Sequence, residues 1–269
     1  MSSASTPHGL HAVATSPVPG LAVAERRVDR PEATIICIHG GLDRGGSFAR
    51  LARRTNRFDL VTYDRRGYQG SRSLGPLGLA NHIGDLQALA RHEEAGRPII
   101  LFGHSFGGVV AFGAAIADAT LSKLVISYET PLPWILRRSG TGNPLGNDPA
   151  LEAERFFRRV VSDSAWERLS EKEREARRLD GPALVDDLTA VRGSTPPFDI
   201  AQLRTPAVYT YGDILNPEFY RSLSAKLHSL NPIITSRQVT NAAHGAHLAV
   251  PDQLAALISE LWDDTCASA

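Results

Sequence analysis

The chain has 269 residues, of which 42% are hydrophobic, enough to bury a large core as one domain or as one domain with an insertion. Lys plus Arg and Asp plus Glu each number 29, so the formal net charge is zero, and no basic stripe or acidic tail is present; this argues against nucleic acid and anionic membrane as partners. The longest apolar runs are strand-sized, which argues against a transmembrane helix or membrane insertion.

Residues 1–20, rich in Ser, Ala and Pro, read as a flexible leader. No Lys or Arg precedes an apolar stretch there, so a signal peptide is not indicated, and a cytoplasmic location is expected. From residue 33, short apolar runs alternate with helical patterns. The expected strands are 33–40, 58–64, 97–104, 122–129, 206–212 and 236–242, rich in Val and Ile and apolar on both faces, as buried parallel strands are. The expected helices between them are 46–56, 79–95, 106–119, 217–229 and 252–263. Such alternation implies a doubly wound, mostly parallel α/β sheet. It breaks once, for about 75 residues after 129, where helical periodicity dominates. Residues 131–200 therefore read as a helical cap on a core of 21–130 and 201–269, with SGTGNPLGNDP (139–149) as a hinge and EKEREARR (171–178) as a solvated helix face. Cys37, within a strand, reads as a small hydrophobe, and with only Cys266 besides it no disulfide framework is indicated.

The strongest chemical signal is Gly103-His104-Ser105-Phe106-Gly107, a G-x-S-x-G that directly follows a strand and opens a helix. That context lifts Ser105 above the sheet at a helix N-terminus, where negative charge is favoured. Phosphate-binding glycine patterns need a Lys or glycines at offsets absent here. A serine hydroxyl needs a base. In this arrangement base and acid follow the serine in the order Ser, acid, His. His244 and His247 lie in NAAHGAHLAVP, a loop between the last strand and the last helix, where catalytic side chains are placed.

Four motifs in order, IHGGLDRGGSF, YDRRGYQGS, GHSFGG and HGAHLAVPDQLAALISEL, each at a strand end, give the chain from about residue 20 a plain resemblance to the α/β-hydrolase superfamily. The resemblance implies a serine-nucleophile hydrolase of that fold, with a cap between the sixth and seventh strands of the family order. His244, with His247 three residues on and Pro251 seven residues on, fits the family's base, and His247 is then structural. The implied oxyanion hole is the backbone N–H of Phe106 with that of Gly41 or Leu42. His39, Asp64, Arg65 and Arg66 correspond to loop-fixing positions. The family's usual acid lies three residues after the glycine ending the penultimate strand, but that position is Leu215. Two carboxylates remain: Glu129, at the end of the preceding strand, is preferred, and Asp213 is the alternative. Chain order cannot separate them.

The resulting expectation is cleavage of a small to medium, hydrophobic carboxylic ester, lactone or lipid-like acyl compound through an acyl-enzyme. No metal or organic cofactor is implied, and the partner is a small-molecule substrate. Trp134, Phe156, Phe157 and Trp166 are candidate acyl-pocket residues, each equally explained by helix packing. A lyase or C–C bond hydrolase with the same triad, or a small-molecule-binding protein without catalysis, are the alternatives.

Overall fold

The runs that are apolar on both faces do form the centre of one sheet. The computed structural model describes residues 9–93, 97–138 and 145–268. Eight strands lie in the order β1-β2-β4-β3-β5-β6-β7-β8. They are β1 (His11–Ala12), β2 (Val23–Arg26), β3 (Ala33–Ile38), β4 (Phe58–Tyr63), β5 (Ile99–His104), β6 (Leu124–Tyr128), β7 (Ala207–Gly212) and β8 (Ile234–Val239). β3 to β8 pair in parallel, and β1 and β2 add an antiparallel edge. Every residue of β3, β4, β5, β6 and β7 is buried.

Alternate residues serve opposite layers, as the period of a strand requires. Ile36 and Ile38 pack beneath α2 (Leu79–Glu93), α3 (Phe106–Ala117) and α8 (Pro217–Leu230). Ile35 and Cys37 face α1 (Ala49–Ala52) and α10 (Pro251–Ala267). Cys37 is fully buried and burial pushes its thiol well up, so it packs as a small hydrophobe.

Several boundaries differ from the sequence reading. β8 begins and ends earlier than 236–242, because its exposed middle (Thr235, Arg237, Gln238) hides the pattern and residues 240–242 already turn toward the loop carrying His244. The helix expected at 46–56 is one 3-10 turn followed by the single turn of α1. β1 and β2 are too short to signal themselves, and β1 lies within the stretch read as a leader; residues 1–8 lie outside the described residues. The first part of the expected hinge, 139–144, likewise lies outside them.

Between β6 and β7 stand α4 (Pro149–Val160), α5 (Asp163–Arg168), α6 (Glu171–Leu179) and α7 (Gly181–Arg192). Local chemistry starts them: Asp148 and Ser162 cap α4 and α5, and Ser170 with Glu173 forms a capping box on α6. α6 buries none of its residues fully, in line with a solvated face. Phe157, Trp166, Ala183 and Leu184 form their own apolar cluster, which rests on Leu42 and Tyr68 of the sheet's loops. α9 (Ala246–Ala249) is a single turn before α10. Among the described residues, no helix is long and apolar enough to cross a membrane.

The helical segment is fastened to the sheet by buried charge. Arg65 is fully buried in the loop after β4, and Asp187 of α7 meets it at 2.6 and 3.0 Å. Tyr68 Oη donates to the same carboxylate at 2.6 Å. Asp180, at the α6–α7 junction, accepts from the Gln69 backbone and side chain and from Arg72. Removing one member of a buried pair strands the other charge. Asp187→Ala is therefore expected to cost about 3–5 kcal/mol in urea unfolding; a loss below 1 kcal/mol would show that Arg65 finds water or another partner.

Candidate active site

Ser105 lies between the last residue of β5 and the first of α3, with φ 52° and ψ −125°. This is an uncommon conformation for a residue with a Cβ, and it persists only where the surroundings over-determine it. They do so here. The Ser105 N–H donates to Tyr128 O at 2.8 Å, tying the turn to β6, and Ser105 O accepts from Gly108 N at 2.9 Å. A Cβ at Gly107 would stand 2.1 Å from Ile38 O, so only glycine lets α3 start this close to β3. A Cβ at Gly40 would fall 2.8 Å from the Ser105 Cβ, which places the loop after β3 directly against the serine.

The loop after β8 brings His244 to the same edge. Four bonds fix that loop: Tyr128 Oη donates to Ala243 O at 2.9 Å, His104 Nε2 to His244 O at 2.8 Å, Ala242 N to Asp213 Oδ1 at 3.2 Å, and Ile214 N to Ala242 O at 3.1 Å. The His104 and His244 rings lie 4.7 Å apart between centroids. His244 Nδ1 is 2.7 Å from Glu129 Oε2. A carboxylate can only accept, so Nδ1 carries the proton and Nε2 is left with its lone pair. The His244 side chain is 24% exposed and that of Glu129 1%.

Of the two candidate carboxylates, Glu129 meets the imidazole, and Asp213 is occupied with the Ala242 amide. Glu129 also has a left-handed backbone, φ 45°. Its Oε1 accepts from Gly212 N at 3.2 Å, and its own N–H donates to Thr210 O at 2.9 Å. Burial, with the nearby Glu129 charge adding to it, pushes the Tyr220 phenol pKa up. Leu215, at the position where the resemblance would put the acid, is exposed.

The proposed oxyanion donors lie at the expected places in the chain. Phe106 opens α3, and Leu42 turns the loop after β3 with φ 54°. A Cβ at Gly41 would touch Leu184 at 3.0 Å and Phe156 at 3.6 Å, so the helical segment covers this loop. The remaining aromatic candidates divide. Phe157 and Trp166 are packing residues, 5.4 Å apart between centroids inside the helical cluster. Trp134 lies edge-on to Phe198 at 5.3 Å and lines a cavity of about 580 Å³ with Lys226 and Leu230. None of Ser105, His244, Glu129, Gly41 or Leu42 lines that cavity.

The loop-fixing positions act through backbone. His39 Nε2 accepts from Arg65 N at 2.8 Å and Nδ1 donates to Gly40 O at 2.7 Å. Asp64 accepts from Gly45 N and Gly70 N, and Arg66 forms a two-bonded pair with Asp85. One group escaped the sequence reading altogether. Asp43, His104 and His247 converge beneath the His244 loop, with a ligand atom from each within 4.8 Å of the others. Their only sequence signal is membership in three of the four motifs.

A family model described as "Alpha/beta hydrolase family" matches residues 35–257. The chain belongs to the alpha/beta hydrolase family. No curated protein sequence matches it significantly. Among solved structures it resembles an N-formylmaleamic acid deformylase from Pseudomonas putida S16, at 20% identity and a TM-score of 0.64, over 93% of this chain and 99% of that one. It also resembles a lipase-esterase related protein from Clostridium acetobutylicum ATCC 824, at 15% identity and a TM-score of 0.68, over 90% and 99% of the two chains. A third similar structure is MenH from S. aureus, at 16% identity and a TM-score of 0.69, over 90% and 98%. At these identities the likeness is one of fold.

Burial, with Arg65 adding to it, pushes His39 down to about 3, and burial also lowers His82. The His39 ring is neutral when folded and regains an ordinary pKa near 6.5 when unfolded. The folded values of both rings are the lower ones, so the stability they support is complete above about pH 6.5 and declines as acid protonates the unfolded chain, by up to about 1.4 kcal/mol per pH unit for His39. The urea midpoint should fall between pH 6.5 and 5, and His39→Gln should make that fall shallower. A midpoint constant over this range would contradict the neutral buried His39 ring.

Proposed function

We propose that this α/β-hydrolase-family chain is a serine hydrolase that cleaves a small to medium, hydrophobic carboxylic ester through an acyl-enzyme. The reading rests above all on one observation, the 2.7 Å contact of His244 Nδ1 with a buried Glu129, at the sheet edge that carries the strained Ser105. Ser105 Oγ attacks the carbonyl carbon as His244 Nε2 takes its proton. The N–H groups of Phe106 and of Gly41 or Leu42 receive the developing oxyanion. The tetrahedral intermediate expels the alcohol, which leaves with the proton from His244. Water, deprotonated by the same nitrogen, then attacks the acyl carbon and releases the acid and Ser105. Glu129 holds the imidazole tautomer and offsets the charge of the imidazolium.

In this reading residues 131–200 are a cap over the core of 21–130 and 201–269. Phe156 is the aromatic candidate that the acyl group meets, because it lies over Gly41. A small-molecule substrate is in keeping with a balanced surface charge, and a cytoplasmic location with two free cysteines.

A fluorophosphonate probe should label Ser105 in the wild type and not in Ser105→Ala, and a p-nitrophenyl ester panel of graded acyl length should show turnover. Glu129→Gln should lower kcat roughly 10⁴-fold, as in other triads deprived of the carboxylate. Asp213→Asn should stay within one order of magnitude of wild type. The reading fails if folded wild type is neither labelled nor active, and the acid assignment fails if the two carboxylate variants exchange behaviour.

A further inference from the structure

We infer that Asp43, His104 and His247 form a binding site for one first-row divalent metal ion, with a donor set that suits zinc. This inference is independent of the hydrolase reading and departs from the metal-free expectation drawn from the sequence. It starts from the His104 ring. His104 Nε2 is 2.8 Å from His244 O, and a carbonyl only accepts, so Nε2 bears the proton of the neutral ring. Its Nδ1 is then a bare lone pair. That atom is buried without a hydrogen-bond partner and faces Asp43 Oδ2 at 3.9 Å.

A lone pair directed at a carboxylate oxygen in a buried space is unfavourable unless a cation lies between them. His247 sharpens the demand. It is 2% exposed, neither of its ring nitrogens has a hydrogen-bond partner, and its Nε2 is 3.5 Å from the same Asp43 oxygen. The His104 and His247 rings are 4.5 Å apart between centroids. A proton on His247 would serve the His247–Asp43 edge and leave His104 Nδ1 unserved. A divalent metal serves all three atoms at once.

The spacing fits. With bonds of about 2.0–2.2 Å, tetrahedral zinc holds its ligand atoms about 3.3–3.5 Å apart. The Asp43–His247 pair already has that separation; His104 Nδ1, 3.9 Å from Asp43 Oδ2 and within 4.8 Å of the His247 ligand atom, must move inward by about 1 Å to complete the set. The supports beyond the ligands are also those of a metal site. His104 donates its other N–H to a backbone carbonyl, and Ser47 Oγ donates to Asp43 Oδ2 at 3.0 Å. The Asp43 side chain is 23% exposed and borders a cavity of about 260 Å³, which leaves room for a water as the fourth ligand. Arg44 and Arg177 line the same cavity and oppose a cation there; the Asp43 carboxylate, closer to the ion, offsets them. The bound ion would pin together three segments: the loop after β3, the turn of Ser105 and the loop of His244.

The test is a Co²⁺ titration of the chelator-treated full-length chain, with the metal content of the purified protein measured alongside. One Co²⁺ per chain should bind, with the intense visible absorption of a low-symmetry four-coordinate site, and Zn²⁺ should displace it. Asp43→Asn and His247→Gln should abolish the absorption, whereas His244→Gln should retain it. Because the first two variants could fail to fold, imidazole ¹⁵N spectra of the wild type provide a second measurement. Zn²⁺ should shift His104 Nδ1 and His247 Nε2 while leaving His244 Nδ1 in place. No stoichiometric binding at about 100-fold excess of metal over protein, or equal binding by folded Asp43→Asn, overturns the inference.

Discussion

Burying Arg65 is the constraint on which the rest of this molecule turns. A guanidinium without water is tolerated only when every direction it faces supplies a partner. Here the partners come from the loop after β3, the start of α3 and the helical segment. Arg65 donates to His39 O and Gly40 O in the loop after β3, and to Asp187 in the helical segment. Its guanidinium carbon lies 4.8 Å from the centre of the Phe106 ring, at the start of α3, and 4.7 Å from that of Tyr68. Docking of the helical segment and the shape of the loop beside Ser105 are thus one equilibrium. An opening of α7 that broke the Arg65–Asp187 pair would leave a charge stranded directly behind the proposed oxyanion loop.

The second organising feature is a carboxylate that reaches across strands. Glu129 ends β6, yet its two oxygens are shared between Gly212 at the end of β7 and His244 in the loop after β8. The longer Glu side chain makes this span feasible from the more distant strand, and the left-handed turn at Glu129 aims it. Asp213, one residue beyond β7, instead accepts the Ala242 amide. The two carboxylates therefore divide the work on one loop, Glu129 orienting the imidazole and Asp213 bracing the backbone that carries it.

This division explains what was legible in the sequence. The placement of Ser105 and His244 at one edge of the sheet could be read because their signals are local: a glycine-flanked turn between strand and helix, and a His-containing loop before the last helix. The parallel sheet could be read because β3, β5 and β7 are mostly apolar on both faces, and every residue in them is buried. Which carboxylate meets His244 could not be settled by order, since both follow neighbouring parallel strands and differ in where a side chain points. β8 was misplaced because an edge strand with exposed residues lacks the two-sided apolar pattern of the interior. Phe157 and Trp166 were ambiguous for a similar reason, because composition does not distinguish a pocket wall from a helix interface. Asp43, Arg65 and His247 lie within the motifs, but nothing local links them to one another or to Asp187; their association is created by tertiary structure alone.

The position of Leu215 carries a consequence for how this protein can vary. The turn between β7 and α8 exposes Ile214 and Leu215, and beyond Asp213 its side chains take no part in the contacts that hold the His244 loop. With the carboxylate that meets His244 supplied from β6, the side chains of residues 214 and 215 are relieved of that duty, while the Ile214 N–H still donates to Ala242 O at 3.1 Å. Substitutions of these two exposed side chains should be absorbed at the surface, whereas changes at 129–131 would move Glu129 itself. The segment open to drift and the segment held constant have in effect exchanged places along two adjacent strands.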